Sequence, residues 1–193
     1  KNFFDMADYI TVNISSPNTE GLRDFHDQEK LKDLLLALNK IKKDNKTDIP
    51  LLLKISPDIE DHHISEIVDV ATKNDISAII LTNTTDGHRG KLVSDTKKEE
   101  GGLSGEPLQQ ISTNMIKKFY KQLNGKIPII GVGGINSGKS AYEKIIAGAS
   151  LLQLYTSFVY RGPSVAKNIK KELIQILKAE GINNIKDVVG KGI

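Results

Sequence analysis

Short apolar stretches alternate with amphipathic ones throughout the chain. The apolar stretches are YITVN (9–13), PLLLKIS (50–56), SAIILTN (77–83), PIIGVG (128–133) and SLLQLY (150–155). They lack strict alternation of apolar and polar residues, as is typical of parallel strands with both faces buried. Helical spacing of apolar residues recurs at 27–43, 60–74, 107–124, 137–147 and 164–180. The pattern predicts five βα units and therefore a parallel α/β fold with right-handed crossovers.

Five consecutive βα units fit two architectures. One is an open, doubly wound sheet, and the other is a partial (β/α)₈ TIM barrel that lacks its first three units. The 193 residues give about 40 residues per unit, so a complete barrel would need well over 250 residues. No linker or low-complexity segment interrupts the pattern, which predicts one domain over 1–193 without an internal boundary.

Composition narrows the class of protein. Lys and Arg outnumber Asp and Glu by 27 to 24, but the lysines are scattered over amphipathic stretches, so no nucleic-acid surface is expected. The absence of cysteine excludes a disulfide framework, a thiolate metal site and a cysteine nucleophile. The longest apolar stretches, of about eight residues, fall short of the roughly 20 that span a bilayer. No membrane segment is expected in this chain.

Every predicted strand ends in polar residues or glycines. These are Asn13 with Ser16, Lys54, Thr82 to Thr85, Gly133 with Gly134, and Tyr155 with Thr156. In a parallel barrel the carboxyl ends of the strands converge on one mouth, so these residues would surround a single ligand. Turn formation accounts for asparagine and glycine at strand ends, but not for a lysine directly after PLLL.

The first strand runs into NISSPNT. Asn13 and Asn18 offer paired donors and acceptors that suit a planar ligand rich in amides and carbonyls. Pro17 would hold the loop rigid. Ser16 would be presented as a proton acceptor, and because an alcohol is a weak base it would need a relay through water or another hydroxyl.

The stretch GGINSGKS (133–140) matches a P-loop between a strand and a helix. NKTD at 45–48 resembles a guanine-recognition motif. However, no predicted strand ends in the aspartate that would organise magnesium, and NKTD precedes the loop where it should follow it. Because of these two mismatches, a P-loop nucleotide hydrolase acting through Gly133–Ser140 is kept only as an alternative hypothesis.

A phosphate site is indicated even without Lys139. Backbone N–H groups at the helix start near 137 can bind an anion, and barrels build such sites from their last two βα loops, here Gly133-Gly134 and Tyr155-Thr156. A lysine at a strand end beside a phosphate site also fits a Schiff-base lyase acting through Lys54. This is the second alternative hypothesis.

A long loop and a pair of adjacent histidines also suggest function, but each fits an ordinary structural role. KKEEGGLSGEP (97–107) lies in a loop of more than about 20 residues, a length typical of functional loops, although a flexible surface loop fits as well. His62 and His63 begin a helical pattern, but adjacent helical residues point in different directions and make a poor ligand pair. His26 and His88 are isolated, and no metal site is expected.

Six stretches, in order, resemble the dihydroorotate dehydrogenase family, specifically its quinone-linked class 2 branch. They are VNISSPNTEGLR, LLLKISPD, IILTNTT, GGLSGEPL, PIIGVGGINSG and AGASLLQLYTS, and the resemblance runs from about residue 7 to 190. Ser16 at the position of the base fits class 2, because class 1 enzymes use a cysteine that this chain lacks. The resemblance implies an FMN-binding barrel that oxidises dihydroorotate to orotate in pyrimidine biosynthesis and passes electrons to a quinone.

The resemblance also implies residue roles. Ser16 would remove the C5 proton of dihydroorotate while the C6 hydride moves to flavin N5. Lys54 would lie near the flavin ring, where a cation stabilises the anionic reduced form. The pyrimidine would be held by Asn13, Asn18, Asn83 and Thr84. The remaining FMN contacts would be Asn13, Thr82, Gly105, Gly134, Tyr155 and Thr156, with the last three around the phosphate.

Family members carry three further βα units upstream and an N-terminal helical segment that forms the quinone tunnel and the peripheral contact with the inner membrane. By this resemblance, the chain is the C-terminal part of such an enzyme, from the fourth barrel strand onward. An arc of five strands leaves two unpaired edges and an open core. We therefore expect residues 1–193 alone to bind FMN weakly and to turn over little.

Overall fold

The computed structural model describes residue 4 and residues 6–193, with Lys91 by its backbone only. The strands are β1 (Ile10–Asn13), β2 (Leu51–Ile55), β3 (Ala78–Leu81), β4 (Ile129–Val132) and β5 (Ala149–Gln153). The α-helices are α1 (Gln28–Asp44), α2 (Asp61–Lys73), α3 (Gln109–Leu123), α4 (Gly138–Ile146), α5 (Thr156–Arg161) and α6 (Val165–Ala179). Every predicted strand and helix is present within two residues at either end, and α5 is additional.

The strands form one parallel sheet in the order β1-β2-β3-β4-β5. A doubly wound sheet would reverse its strand order at a switch point, whereas strands that follow one another around the sheet are wound as in a (β/α)₈ barrel. The partial barrel is therefore confirmed. In the described part of the chain, β1 and β5 each have a strand neighbour on one side only.

Both faces of the sheet are apolar. One face packs against α1, α2 and α3 in a large cluster that includes Leu53, Ile79 and Phe119. Alternate residues on the other face, Leu52, Ala78, Ile80 and Ile130, form a smaller cluster inside the barrel arc. Burial on both sides explains why the strand sequences do not alternate.

The alternation of side chains along a strand fixes what faces inward at the rim. Lys54 lies two residues after Leu52 and Thr82 two residues after Ile80, so both side chains share the inner face. In register, Asn13 lies beside Lys54 and Val132 beside Gln153. The inner face therefore changes from aliphatic to polar at the carboxyl ends of the strands.

Several large apolar side chains near α5 are exposed to solvent. Phe158, Val159 and Tyr160 are exposed on this short helix. Leu151 is exposed on the inner face of β5, because it pairs with Ile130 and lies two residues before Gln153. Among the described residues, no helix combines the length and the apolar content needed to cross a bilayer.

Candidate functional site

A cavity of about 1090 Å³ opens at the carboxyl ends of the strands. Its wall includes the inward-facing Lys54, Thr82 and Gln153 and residues of the loops that follow β3, β4 and β5. Eight of the residues singled out in the sequence line it: Lys54, Thr82, Asn83, Thr84, Gly105, Gly134, Tyr155 and Thr156. The predicted convergence of these strand ends on one mouth is therefore what the structure has.

Asn13, Ser16 and Asn18 are not in the cavity wall but adjoin it. Asn83 Nδ2 donates to Asn13 Oδ1 at 3.2 Å, which joins the ends of β1 and β3. A Cβ built on Gly101 would lie 4.0 Å from Asn18 Oδ1. The loop after β1 thus lies against the glycines of the long loop, beside Asn83.

The two serines of the SSPN sequence have different surroundings. Ser15 is fully buried, donates its hydroxyl to Asn13 Oδ1 at 2.9 Å and accepts from Asn83 Nδ2 at 3.0 Å. Ser16 is half-buried, and its Oγ accepts the backbone N–H of Asn18 at 3.2 Å. Within the described residues, the Ser16 hydroxyl donates to no protein acceptor. Ser15 therefore holds the loop in place, and Ser16 is free to exchange a proton.

Lys54 brings a cation into a cavity with partly apolar walls. Burial lowers the pKa of its ammonium below the ordinary value. Among the described residues, no carboxylate lies within ion-pair distance of it. A cation held in this way favours an anionic or electron-rich ligand beside it.

The loops after β4 and β5 form a cradle with little room for side chains. Gly134 has a φ of 72°, and a Cβ there would lie 2.4 Å from Gln109 Cβ. A Cβ on Gly105 would lie 3.0 Å from Thr156 Cγ2. Within the described residues, the amides of Gly134 and Thr156 donate to no protein acceptor. Free amides beside glycines are the usual means of binding a phosphate.

The helix start near 137 offers fewer free amides than predicted. The amide of Gly138 donates to Glu172 Oε2 at 2.6 Å, and the amides of Asn136 and Ser137 donate to Ser140 Oγ at 2.9 and 3.0 Å. These donors are occupied by the protein itself. In addition, the Ser140 hydroxyl closes the α4 capping box, so it does not fulfil the metal-binding role of a P-loop serine.

Several residues of the cavity wall were not predicted from the sequence. Gln153, Ser104, Arg89 and Arg161 belong to this group. Arg89 donates to the carbonyls of Lys97 (3.3 Å) and Gly101, and so fixes the long loop. Gln153 had one available signal, because it is an amide flanked by leucines within SLLQLY.

The two adjacent histidines differ from the prediction. His62 is exposed, but the side chain of His63 is half-buried, and their ring centroids are 3.9 Å apart. The rings therefore stack and do not diverge, and one ligand atom from each of His62, His63 and Glu66 lies within 4.8 Å of the others. For comparison, the ligand atoms of four-coordinate zinc lie about 3.4 Å from one another, so the 4.8 Å limit alone does not define a zinc site.

Taken together, the fold and the cavity define the class of protein. It is a (β/α)-barrel protein with an inward lysine and closely packed glycines in one cavity at the carboxyl rim, and with the amide-rich loop after β1 beside that cavity. A family model described as dihydroorotate dehydrogenase matches residues 1–177. The chain belongs to the dihydroorotate dehydrogenase family.

Its relatives are of the quinone-linked branch. The "dihydroorotate dehydrogenase (quinone)" of Bartonella tribocorum is 43% identical over 190 residues, which cover 96% of this chain and 53% of that protein. The protein of the same name from Christiangramia forsetii is 46% identical over 172 residues, 89% of this chain and 50% of that protein. The chain spans about half the length of the curated relatives it matches.

A solved structure shares the fold. The crystal structure of DHODH from Eimeria tenella in complex with ferulenol superposes with a TM-score of 0.91 at 39% identity, over 96% of this chain and 54% of that one. Neither the Schiff-base lyase nor the P-loop hydrolase is supported by these relatives.

Proposed function

We propose that the protein carrying this chain oxidises (S)-dihydroorotate to orotate, with FMN as hydride acceptor and a quinone as final electron acceptor, in the de novo synthesis of UMP. The observation that carries the proposal is the meeting of the amide-rich loop, Lys54 and the glycine cradle at one rim of the barrel. Membership of the quinone-linked branch supports the same reaction.

The cavity suits FMN in both size and chemistry. The amides of Gly134 and Thr156 would hold the phosphate, with Tyr155 and Gly105 beside it. Lys54, Thr82 and Asn13 would contact the ring. When bound, FMN supplies the two-electron acceptor for the hydride that leaves C6. A cation beside the ring favours negative charge there, and that charge would offset the cost of burying Lys54.

The amide-rich loop after β1 and the residues that follow β3 would together hold the substrate. Asn13, Asn18, Asn83 and Thr84 supply donors and acceptors that match the carbonyl and N–H groups of a pyrimidine. Asn83 is already oriented, because its Oδ1 accepts the backbone N–H of Thr84 at 2.8 Å and its Nδ2 donates to Asn13. These bonds reduce the entropy lost when the substrate is bound.

Ser16 would act as the base. Oxidation of the C5–C6 single bond to a double bond removes a proton from C5 and a hydride from C6. The backbone N–H of Asn18, which donates to Ser16 Oγ, stabilises negative charge that develops on this oxygen as its own proton leaves. The hydroxyl proton would pass to water or to another hydroxyl.

We assign the quinone to a part of the protein outside this chain. The resemblance gives the quinone tunnel and a peripheral membrane contact to an N-terminal helical segment. The 193 residues supply the barrel rim that would hold FMN. They span about half the length of the relatives. Electrons would leave the flavin toward that segment.

A direct test compares the longest natural form of this protein with residues 1–193 alone. We expect the longer form to reduce a ubiquinone analogue when dihydroorotate is added, and the 193 residues to do so weakly or not at all because their barrel is open.

Two further experiments test the alternative hypotheses. Borohydride should trap no adduct on Lys54, and Lys139→Ala should leave activity unchanged. Absence of dihydroorotate-dependent reduction by the longer form would refute the proposal.

The glycine cradle yields a second prediction. Gly134→Ala should lose FMN, because its Cβ would lie 2.4 Å from Gln109 Cβ and 2.7 Å from Gln109 Cα. Gly125→Ala is the matched control: its φ of 75° is similar, and no atom lies within 4 Å of the added carbon. The control should cost only about 1–2 kcal/mol of stability, the penalty of an L-residue in the left-handed region, and keep its flavin. Equal flavin content in the two purified variants would contradict the assignment.

A further inference from the structure

Arg23 connects three loops at the rim through two ion pairs. It lies in the 3₁₀ helix Leu22–His26, which continues the loop after β1. Its Nη2 donates to Asp58 Oδ2 at 2.9 Å and its Nη1 to Asp86 Oδ2 at 2.8 Å. Asp58 follows β2 and Asp86 follows β3. One guanidinium therefore connects the loops that follow three consecutive strands. We call Arg23, Asp58 and Asp86 the Arg23 clamp.

Asp58 extends the clamp toward the predicted substrate residues. Its Oδ1 accepts the hydroxyl of Thr85 at 2.5 Å, and its Oδ2 accepts the amide of Asp86 at 3.4 Å. Thr85 follows Thr84 directly, and its backbone pairs with Leu103 of the long loop. The position of Asp58 therefore sets the position of the chain next to Thr84.

The two carboxylates depend on a single cation. The side chains of Arg23 and Asp58 are 28% and 18% exposed, so removing the guanidinium leaves a poorly solvated negative charge. Partial burial raises the pKa of Asp86, but the hydrogen bond and the charge of Arg23, together with the hydrogen-bonding contact to Asp58, hold this pKa below its ordinary value. A lysine cannot replace the arginine, because an ammonium is a point charge without a planar fork that reaches two carboxylates.

The clamp acts on the site from outside. Among the described residues, those of the cavity wall do not include Arg23, Asp58 or Asp86. Ser16 and Arg23 both follow β1, and Asn83 and Asp86 both follow β3. A change at the clamp would therefore move the base relative to the substrate-binding amides without removing a contact to either ligand.

We propose, resting on the function proposed above, that Arg23 is a positioning residue for the proton transfer. By binding Asp58 and Asp86 together, it holds the Ser16 loop against Asn83 and Thr84, so that the Ser16 hydroxyl meets the C5 proton of the substrate. Breaking the clamp displaces the base and leaves FMN in place.

The test uses the longest natural form of the protein, loaded with FMN. Arg23→Lys keeps the positive charge but loses the fork, and Lys30→Met removes an exposed cation from the same region, where its pair with Asp24 contributes little. We expect Arg23→Lys to slow flavin reduction by dihydroorotate about 100-fold. A larger isotope effect with substrate deuterated at C5 should accompany this, at unchanged FMN content. Lys30→Met should behave as the wild type.

A second readout does not depend on activity. Amide hydrogen exchange over residues 14–21 should be at least about 10-fold faster in Arg23→Lys than in the wild type or Lys30→Met, because the loop keeps its anchor at Ser15 but loses the one at Arg23. If Arg23→Lys fails to fold, Asp86→Asn breaks one arm of the clamp and should show the same two effects in weaker form.

The outcomes separate the two proposals. A wild-type flavin that dihydroorotate does not reduce would contradict the proposed function, and the exchange measurement would still test the clamp. Unchanged exchange, or a slower reaction without a larger C5 isotope effect, would overturn the positioning role.

Discussion

Ser16→Ala is expected to lower kcat for dihydroorotate oxidation by about 10²- to 10⁴-fold, the range typical for loss of a general base. FMN content should not change, because Ser16 lies in the amide-rich loop and not in the glycine cradle. Steady-state kinetics with a ubiquinone analogue would measure the effect. Ser65→Ala, which removes an exposed hydroxyl from α2, is the matched control and should retain full activity.

Ser16→Cys gives the same prediction a pH signature. A thiol ionises near about 8.5, far below an alcohol, so the variant should keep part of its activity, and its kcat–pH profile should shift toward lower pH. A Ser16→Ala variant with wild-type kcat, or a cysteine variant with an unshifted profile, would contradict the role of Ser16 as the base.

The largest expected effect on stability comes from Lys144. Its side chain is fully buried in α4, and Nζ donates to Ser112 Oγ at 3.1 Å, Thr113 Oγ1 at 3.1 Å and the carbonyl of Gln109 at 3.2 Å. Burial lowers the pKa of this ammonium from 10.5 to about 7. The folded protein therefore releases the Lys144 proton more than three pH units before the unfolded chain does.

The sign of the pH dependence follows from this difference. Between pH 7 and 10.5 the unfolded state holds the proton and the folded state does not, so the free energy of unfolding rises with pH in this window. The full difference corresponds to on the order of 5 kcal/mol. Denaturant unfolding of the wild type and Lys144→Met at several pH values would measure it.

The wild type should gain stability relative to Lys144→Met as the pH rises from 7 to 10, and Lys139→Met is the control. Lys139 lies on the same helix but is exposed, so its removal should give a difference from the wild type that stays constant with pH. A constant difference for Lys144→Met as well would show that the buried ammonium does not titrate in this range.

Much of the fold could be predicted from the sequence because the strands are buried on both faces. Runs such as SAIILTN are apolar for that reason, and their polar ends mark the rim of the barrel. The short helix α5 was missed, because its six residues are too few to show a helical period.

The site was less predictable where its contacts are distant along the chain. The partners of Arg23 lie 35 and 63 residues away, so no local spacing indicates the clamp. Likewise, Glu172 occupies the amide of Gly138 from 34 residues away, and this leaves the Gly134 and Thr156 loops, which the sequence also indicates, as the candidate phosphate site. The strand ends were predictable because a parallel barrel brings all of them to one edge.

The most direct measurement of the whole account is an anaerobic titration of the purified longest form with dihydroorotate, followed by its visible absorbance. We predict a yellow protein that contains stoichiometric FMN and is bleached by dihydroorotate. A colourless protein, or one whose flavin absorbance does not change on addition of dihydroorotate, would contradict the claim that these strand ends hold a flavin beside a pyrimidine.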